Sequence, residues 1–321
     1  MNEATEPASS GRERSPIRRA YVIIAHEQPN HLRRLCAALD APGARCFVHF
    51  DASSGPCPPL PANAEAVPDP LSVNHGGFSQ TLAVVKSLRA AYGYEFDVVF
   101  VLSGRDYPIK PDRDLVAFLE ANEGLNCINF YPLVRGAAFR YHASQRFFVD
   151  ERMSLPKRLQ PLAMNLERAG RLLLPPRRFP LGRIPYRGSA YFVLTRQGAS
   201  YVLDFLETPE GAQYMKFFRR SWGSDEMLVQ SILLNSPIAD TCRFYSRDRD
   251  RPMKIDNQAF LHYIDWDPAR ENPAVLDERD LTRLLESEFF FARKFDEVRS
   301  RTLLDELDAR RECPPEPGVH T

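Results

Sequence analysis

Short apolar runs rich in β-branched residues alternate along this chain with stretches of helical periodicity. Residues 20–25 (AYVIIA) follow a basic pair and read as a buried strand. Residues 29–39 place Leu32, Leu35 and Leu39 at helical spacing, and 45–50 (RCFVHF) form a second apolar run that stops at Asp51. Strand, helix and strand with short joints predict a parallel βαβ unit. A proline-rich connection over 55–70 leads into a helix over 78–92, with Leu82, Val85, Leu88 and Ala91 on one face. Residues 97–102 (DVVFVL) carry the strongest strand signal and end at the loop 103–108 (SGRDYP). In an open parallel sheet, ligands lie in the crevice outside the carboxyl ends of the strands. His26, Asp51 and the loop 103–108 are therefore expected to face one crevice, of a size that suits a nucleotide.

Further along, 112–122 reads as a capped helix and 126–131 as a strand. The stretch 135–187 changes character, with many Arg and Lys, six prolines and little periodicity; one helix is predicted near 161–174. Such an excursion is of the kind that shapes an acceptor pocket. A strand over 189–194, helices over 197–206 and 225–235, and a last helical stretch over 281–291 complete the pattern, without internal repeats. The expected organisation is a disordered leader over 1–17 and a single domain over 18–300. Residues 18–134 would be its nucleotide-binding half and 135–300 its acceptor and catalytic half. A C-terminal helix end and tail would follow over 301–321.

Composition narrows the function. Apolar residues make up 44% of the 321 residues and charged residues 26%, ordinary for a globular core. Lys+Arg and Asp+Glu are equal at 42 each, so nothing in the net charge calls for a nucleic-acid partner. The six cysteines form no CxxC pair and sit at no zinc-like spacing, which fits buried thiols in a reducing compartment. The N-terminus has no secretory apolar region, and no run of about 18 apolar residues exists, so the expectation is a soluble, cytoplasmic protein without a membrane span.

The chain lacks a GxGxxG after a strand and a GxxxxGK[ST], so dinucleotide and P-loop cradles are missing. It also lacks a clear Asp-x-Asp at a strand end, the usual metal-and-diphosphate grip. In a nucleotide-sugar enzyme, Arg and Lys would then have to offset the leaving diphosphate directly.

Seven motifs occur in order: AYVIIAH (20–26), VHFD (48–51), HGGFS (75–79), LSGRDYPI (102–109), GSAYFVLT (188–195), SDE (224–226) and FARKFD (291–296). Together they resemble the core-2/I-branching N-acetylglucosaminyltransferase family, which also contains the peptide O-xylosyltransferases. The similarity spans roughly residues 18–297. Each motif is weak alone; the ordered set is specific. The resemblance implies an α/β fold of GT-A type with a mostly parallel central sheet flanked by helices. It also implies an inverting mechanism, a UDP-sugar as donor substrate, and no metal or other cofactor. The Golgi members carry a membrane anchor.

By the same resemblance Glu226 is the general base, with Asp225 second. An inverting transfer needs one carboxylate to take the acceptor proton as its oxygen attacks the anomeric carbon. As a bare sequence, SDE is also an ordinary helix start. Lys294 is assigned to the diphosphate. Its partner Arg is placed at Arg270, although an ungapped count falls on Glu271; Arg279 is a weaker substitute. Asp51 is expected to read the uridine and His26 to shape the base pocket. Gly77 and Ser79 would present a helix N-terminus to the donor. Asp106 is expected to bind sugar hydroxyls or support its loop. Ser189 of the GSAYF motif is expected to contact the sugar or acceptor, and Tyr191 and Trp266 are candidate sugar platforms. A single acid at 103–106 is a poor magnesium site.

The donor sugar expected from GSAYFV is N-acetylglucosamine. UDP-xylose is second, because an acid and Trp tend to follow Gly-Ser in the xylosyl branch. The acceptor would be a glycan, a glycolipid or a small molecule. Two other readings compete: a non-catalytic nucleotide- or glycan-binding relative, and a metal-dependent nucleotidyltransferase.

Overall fold

The computed structural model describes residues 15–243 and 261–312. The chain begins β1 (Arg19–Ala25), α1 (Pro29–Ala38), β2 (Ala44–Phe50), β3 (Ala64–Ala66), α2 (Phe78–Tyr92), β4 (Val98–Ser103) and β5 (Asp106–Pro108). It continues through α3 (Asp112–Ala121), β6 (Asn126–Cys127) and β7 (Phe130–Pro132) into an excursion holding α4 (Gly136–Ala138), α5 (Val149–Met153) and α6 (Gln160–Leu173). The return path is β8 (Tyr186–Gly188), β9 (Phe192–Thr195), α7 (Arg196–Leu206), α8 (Pro209–Phe218), α9 (Leu228–Leu233) and β10 (Cys242–Arg243). Last come β11 (His262–Ile264), α10 (Leu281–Glu286), β12 (Phe291–Arg293) and α11 (Arg301–Glu312).

The central sheet has the order β10-β6-β9-β4-β1-β2-β3. β1 pairs in parallel with both β2 and β4, and β9 alone runs antiparallel to its neighbours β4 and β6. This is the mostly parallel α/β architecture expected of a GT-A type fold. The period-2 alternation of each strand sorts its side chains between two cores. Ala20, Val22, Val99, Val101, Phe192 and Leu194 pack on one face with α2, α7 and α9. Tyr21, Ile23, Phe100, Leu102 and Val193 pack on the other with residues of α1, α3 and α11. A sheet buried on both faces leaves polar side chains room only at strand ends, which is why the chemistry gathers there.

Several elements differ from the pattern-based expectation. β3 lies inside the proline-rich 55–70 connection; three residues are too few to show alternation. The expected strand over 126–131 divides: β6 joins the main sheet, whereas β7 forms a separate hairpin with β8. The helix expected over 281–291 stops at Glu286, because Phe291–Arg293 pair with β5 and β11 instead. α8 was unforeseen, although Thr208 caps it through Gly211 N and Pro209 opens it. The helix expected over 225–235 is a 3₁₀ turn, Ser224–Glu226, followed by the short α9. Of the leader only residues 15–17 are described, and the tail beyond Glu312, with Cys313, lies outside the described residues. The cysteines Cys36, Cys46, Cys57, Cys127 and Cys242 are free. Among the described residues no helix is long and apolar enough to cross a membrane.

The start of α2 shows how the excursion is tied to the sheet. Gly76 has φ +71°, and a Cβ there would meet the Trp222 indole at 2.7 Å. A Cβ on Gly77 would meet Asp150 Oδ1 at 2.4 Å. Asp150, from α5, accepts from Ser79 N at 3.0 Å, from Ser79 Oγ at 2.6 Å and from Asn74 Nδ2 at 2.8 Å. It is therefore the N-terminal cap of α2, supplied from 71 residues away. Asp150→Ala is expected to lower stability by about 1–2 kcal/mol, typical of a lost cap with an unpaired hydroxyl. Chemical denaturation measures this, and an unchanged midpoint would remove Asp150 from that role.

Candidate functional site

A crevice of about 320 Å³ opens at the carboxyl ends of β1, β2 and β4. His26 and Glu27 follow β1, Asp51 follows β2, and Ser103, Gly104 and Arg105 follow β4. Because β9 runs antiparallel, its leading residues Ala190 and Tyr191 reach the same end of the sheet. His75, Gln80, Asp225 and Arg293 close the remaining walls. A Cβ on Gly104 would lie 2.6 Å from the Ala25 side chain, so glycine lets the β4 loop cross close behind β1.

At the β2 end, the Asp51 carboxylate accepts from Ser53 N at 2.8 Å and Ser53 Oγ at 2.7 Å, forming a turn that fixes its orientation. One oxygen carries both bonds. His26 is exposed and lies 3.6 Å from Glu27 Oε1.

Asp106 organises the opposite wall. It is fully buried and accepts from Ser103 N at 2.7 Å, Ser103 Oγ at 2.5 Å and His262 Nε2 at 3.2 Å. Arg293 Nε is 3.2 Å away, and Arg293 is its cross-strand partner in β12. Burial by itself would raise this carboxyl, but His262, Arg293 and Ser103 together hold it below the usual carboxylate range. Asp106 thus holds its loop, with both of its oxygens already engaged. Tyr191 packs between His262, at 4.8 Å between tilted ring centroids, and the Arg293 guanidinium, at 4.7 Å. Burial also pushes its phenol well up.

Lys294 follows directly from that clamp. Phe295 N donates to Arg105 O at 2.9 Å, and Arg105 Nε donates to Phe295 O at 2.8 Å. The two strands are locked around residue 294, so Lys294 and Arg105 are held as neighbours. Arg105 also pairs with Glu27 at 3.1 Å. Among the described residues the Lys294 ammonium pairs with no acid, and partial burial with the charge of Arg105 lowers its pKa. Arg105 and Arg293 line the crevice; Lys294, within electrostatic reach of both, stands beside them and is not among the lining residues.

Arg270 is engaged elsewhere. Its guanidinium is bonded to Asp265 at 2.7 Å, to Asp280 at 2.8 and 3.0 Å, and to the Val275 carbonyl at 2.7 Å. That set uses the donors of both terminal nitrogens, so Arg270 holds its own loop and does not line the crevice. Arg279 is exposed and pairs with Asp277 at 2.6 Å, and Glu271 pairs with Arg299. Gly77 and Ser79 likewise stand away from the crevice lining. The Asp150 carboxylate occupies the helix N-terminus they were expected to offer a donor.

The 3₁₀ turn Ser224–Glu226 carries two adjacent acids, of which Asp225 lines the crevice and Glu226 follows it in the chain outside the lining. Asp225 is buried, lines the crevice and accepts from Gln80 Nε2 at 2.8 Å. Burial, then the charge of Glu226, pushes its carboxyl well above the usual range. Glu226 is partly exposed and forms an ion pair with Arg187 of β8, whose other arm reaches Tyr131 OH at 3.2 Å. Ser189 is inward, its Oγ accepting from Tyr191 N at 3.0 Å and its carbonyl from Gln230 at 2.7 Å; it orients Tyr191 and does not line the crevice. Trp266 is 37% exposed on the loop after β11, outside the crevice lining.

Four residues of the site escaped the sequence reading. Arg105 and Arg293 sit inside the quoted LSGRDYPI and FARKFD motifs, one residue from Asp106 and Lys294, so position in the motif was the available signal. Gln80 and Arg187 carry no sequence signal, because their acidic partners lie 145 and 39 residues away.

A family model described as Core-2/I-Branching enzyme matches residues 20–285. Xylosyltransferase 2 of Mus musculus is 25% identical over 311 residues, an alignment covering 91% of this chain and 33% of that protein. Xylosyltransferase 1 of Homo sapiens is 24% identical over 313 residues, covering 92% and 30%. The chain spans about a third of the length of these relatives. Among solved structures, CMP:2-keto-3-deoxy-manno-octonic acid synthetase complexed with CTP covers 71% of this chain and 89% of its own at 11% identity, with a TM-score of 0.30, a likeness that carries no functional weight. The family model extends over most of the chain, from the first strand to α10, and on that ground the chain belongs to the core-2/I-branching enzyme family.

Proposed function

We propose that this chain is an inverting glycosyltransferase that moves a sugar from a UDP-sugar to an acceptor hydroxyl without a metal ion. One observation carries the reading: a single crevice at the strand ends is lined by the carboxylates of Asp51 and Asp225 and by the cations Arg105 and Arg293, with Glu226 next to Asp225 and Lys294 next to Arg293 in the chain. Asp51 would accept from the uracil N–H or ribose hydroxyls through the oxygen its turn leaves free. Glu226 would take the acceptor proton while the acceptor oxygen bonds to the anomeric carbon. The bond from that carbon to the phosphate oxygen breaks on the opposite face, and the electron pair leaves with UDP. The side-chain cations would offset the charge that develops on the diphosphate. Among the described residues no group of three or more His, Cys, Asp or Glu is placed to hold a metal ion.

N-acetylglucosamine is the donor sugar proposed from the Gly188-Ser189-Ala190-Tyr191 turn. Ala190 faces the crevice and offers no carboxylate to a sugar hydroxyl. The similarity to xylosyltransferases favours UDP-xylose as a second reading. The acceptor proposed is a glycan, a glycolipid or a small molecule.

Glu226→Gln keeps an acceptor for Arg187 and removes the base. Turnover is expected to fall by roughly 10²–10⁴-fold with UDP affinity unchanged. Lost UDP binding in a folded variant would sink the assignment, and a larger loss in Asp225→Asn than in Glu226→Gln would move the base to Asp225. Lys294→Ala and Arg105→Ala are each expected to reduce turnover by about 10²-fold and to weaken UDP binding; Arg270→Ala is expected to lower stability instead. Calorimetric titration with UDP, UDP-N-acetylglucosamine and UDP-xylose, with and without a chelator, tests the donor and the metal together. Chelator-insensitive binding of UDP and one sugar nucleotide is the expected outcome; binding only with added metal would overturn the metal-free mechanism.

A further inference from the structure

The helix α6 is built inside out. Its buried position is Glu167, 8% exposed, which is held by Arg152 at 3.0 Å and by Arg171 at 2.9 Å. Its leucines face solvent: Leu162 is 59% exposed, Leu166 65% and Leu173 84%. With Leu159 these positions fall at helical spacing on one side, a stripe about 21 Å long at 1.5 Å per residue. A helix that turns charge inward and leucine outward lacks the partner its apolar side requires, and a contiguous exposed patch of this kind marks an interaction surface.

Charge decides what that partner is. The segment 135–187 carries twelve Arg and Lys against three acids, in a chain whose total balance is zero. All three acids are already engaged: Asp150 caps α2, Glu151 pairs with Arg220, and Glu167 sits between Arg152 and Arg171. Lys157, Arg158, Arg168 and Arg178 are exposed around the leucine stripe and pair with no acid among the described residues. A second copy of the chain would set this basic surface against itself. An anionic lipid surface satisfies both features, leucines entering the acyl boundary and basic side chains meeting headgroup phosphates. Beneath the stripe a groove of about 410 Å³, walled by Phe148, Leu155, Ala163 and Leu174 with Arg146 and Arg171, adds apolar space that ends in positive charge.

We propose that the α5–α6 excursion docks the protein on an anionic membrane surface as an interfacial helix. The excursion leaves and re-enters the fold through β7 and β8, and β8 carries the Arg187 that holds Glu226. The docked face is thereby connected to the turn that carries Asp225 and Glu226, so an acceptor presented from the lipid surface would be the one served.

The test is flotation of the full chain with vesicles, read without turnover and so independent of the donor chemistry. Phosphatidylcholine vesicles containing roughly one third phosphatidylglycerol are expected to carry the protein, and phosphatidylcholine alone to leave it behind. Replacing Leu162, Leu166 and Leu173 together by Gln is expected to weaken partition roughly tenfold or more with an unchanged unfolding midpoint. Failure to float with anionic vesicles, or equal flotation with both compositions, would overturn the proposal even if the triple variant does not fold. Equal flotation of a folded triple variant would also overturn it. So would a lipid-free dimer that the variant abolishes, since the stripe would then belong to a second copy.

Discussion

The buried carboxylate of Asp106 is the interaction on which the site depends. It ends β4's loop, pairs across strands with Arg293, and accepts from Ser103 and His262, so one charge ties the central sheet to the small β11-β12-β5 sheet. Charges of this kind are stable only when fully partnered, and removing one partner leaves the others stranded. The consequence is geometric: Phe295 is bonded twice to Arg105, which lines the crevice, so Lys294 is held next to it. His31, buried and kept neutral by desolvation, adds a bond to the Asp106 carbonyl at 3.1 Å and fixes α1 to the same hub.

A second tie runs across the other wall. Asp150 of the excursion caps α2, and Trp222 packs on Gly76, so the segment before Ser224–Glu226 is held against the start of that helix. Gln80, one turn into α2, then meets Asp225. Asp225 and the strand ends are therefore positioned by separate anchors, one on each side of the sheet. Rigid support from both sides is what a site needs to hold charges at fixed separation from a bound ligand.

The excursion joins these themes to the surface. Its acids are spent inward on caps and ion pairs, which leaves its cations and its leucines outward. In a molecule with no net charge, that separation concentrates positive charge on the excursion.

The sequence by itself determined the alternation of strands and helices, the two-faced burial of β1, β2 and β4, and the convergence of residues 26, 51 and 103–106 at one sheet end. These follow from local periodicity and from the handedness of parallel connections, which act within a few residues or one crossover. The ordered motifs also pointed to the family that the comparisons show. Tertiary structure alone decided which cations line the crevice and the reversed role of the α2 start. Arg270 carries a charge that looks available in the sequence, yet Asp265 and Asp280 consume it, whereas Arg105, unremarked beside Asp106, reaches the crevice. Ser79 reads as a helix start open to an anion until Asp150 arrives from 71 residues away. Local pattern records which groups a chain owns; which of them remain free is settled by pairing across long sequence separations, and that pairing exists only once the sheet has closed.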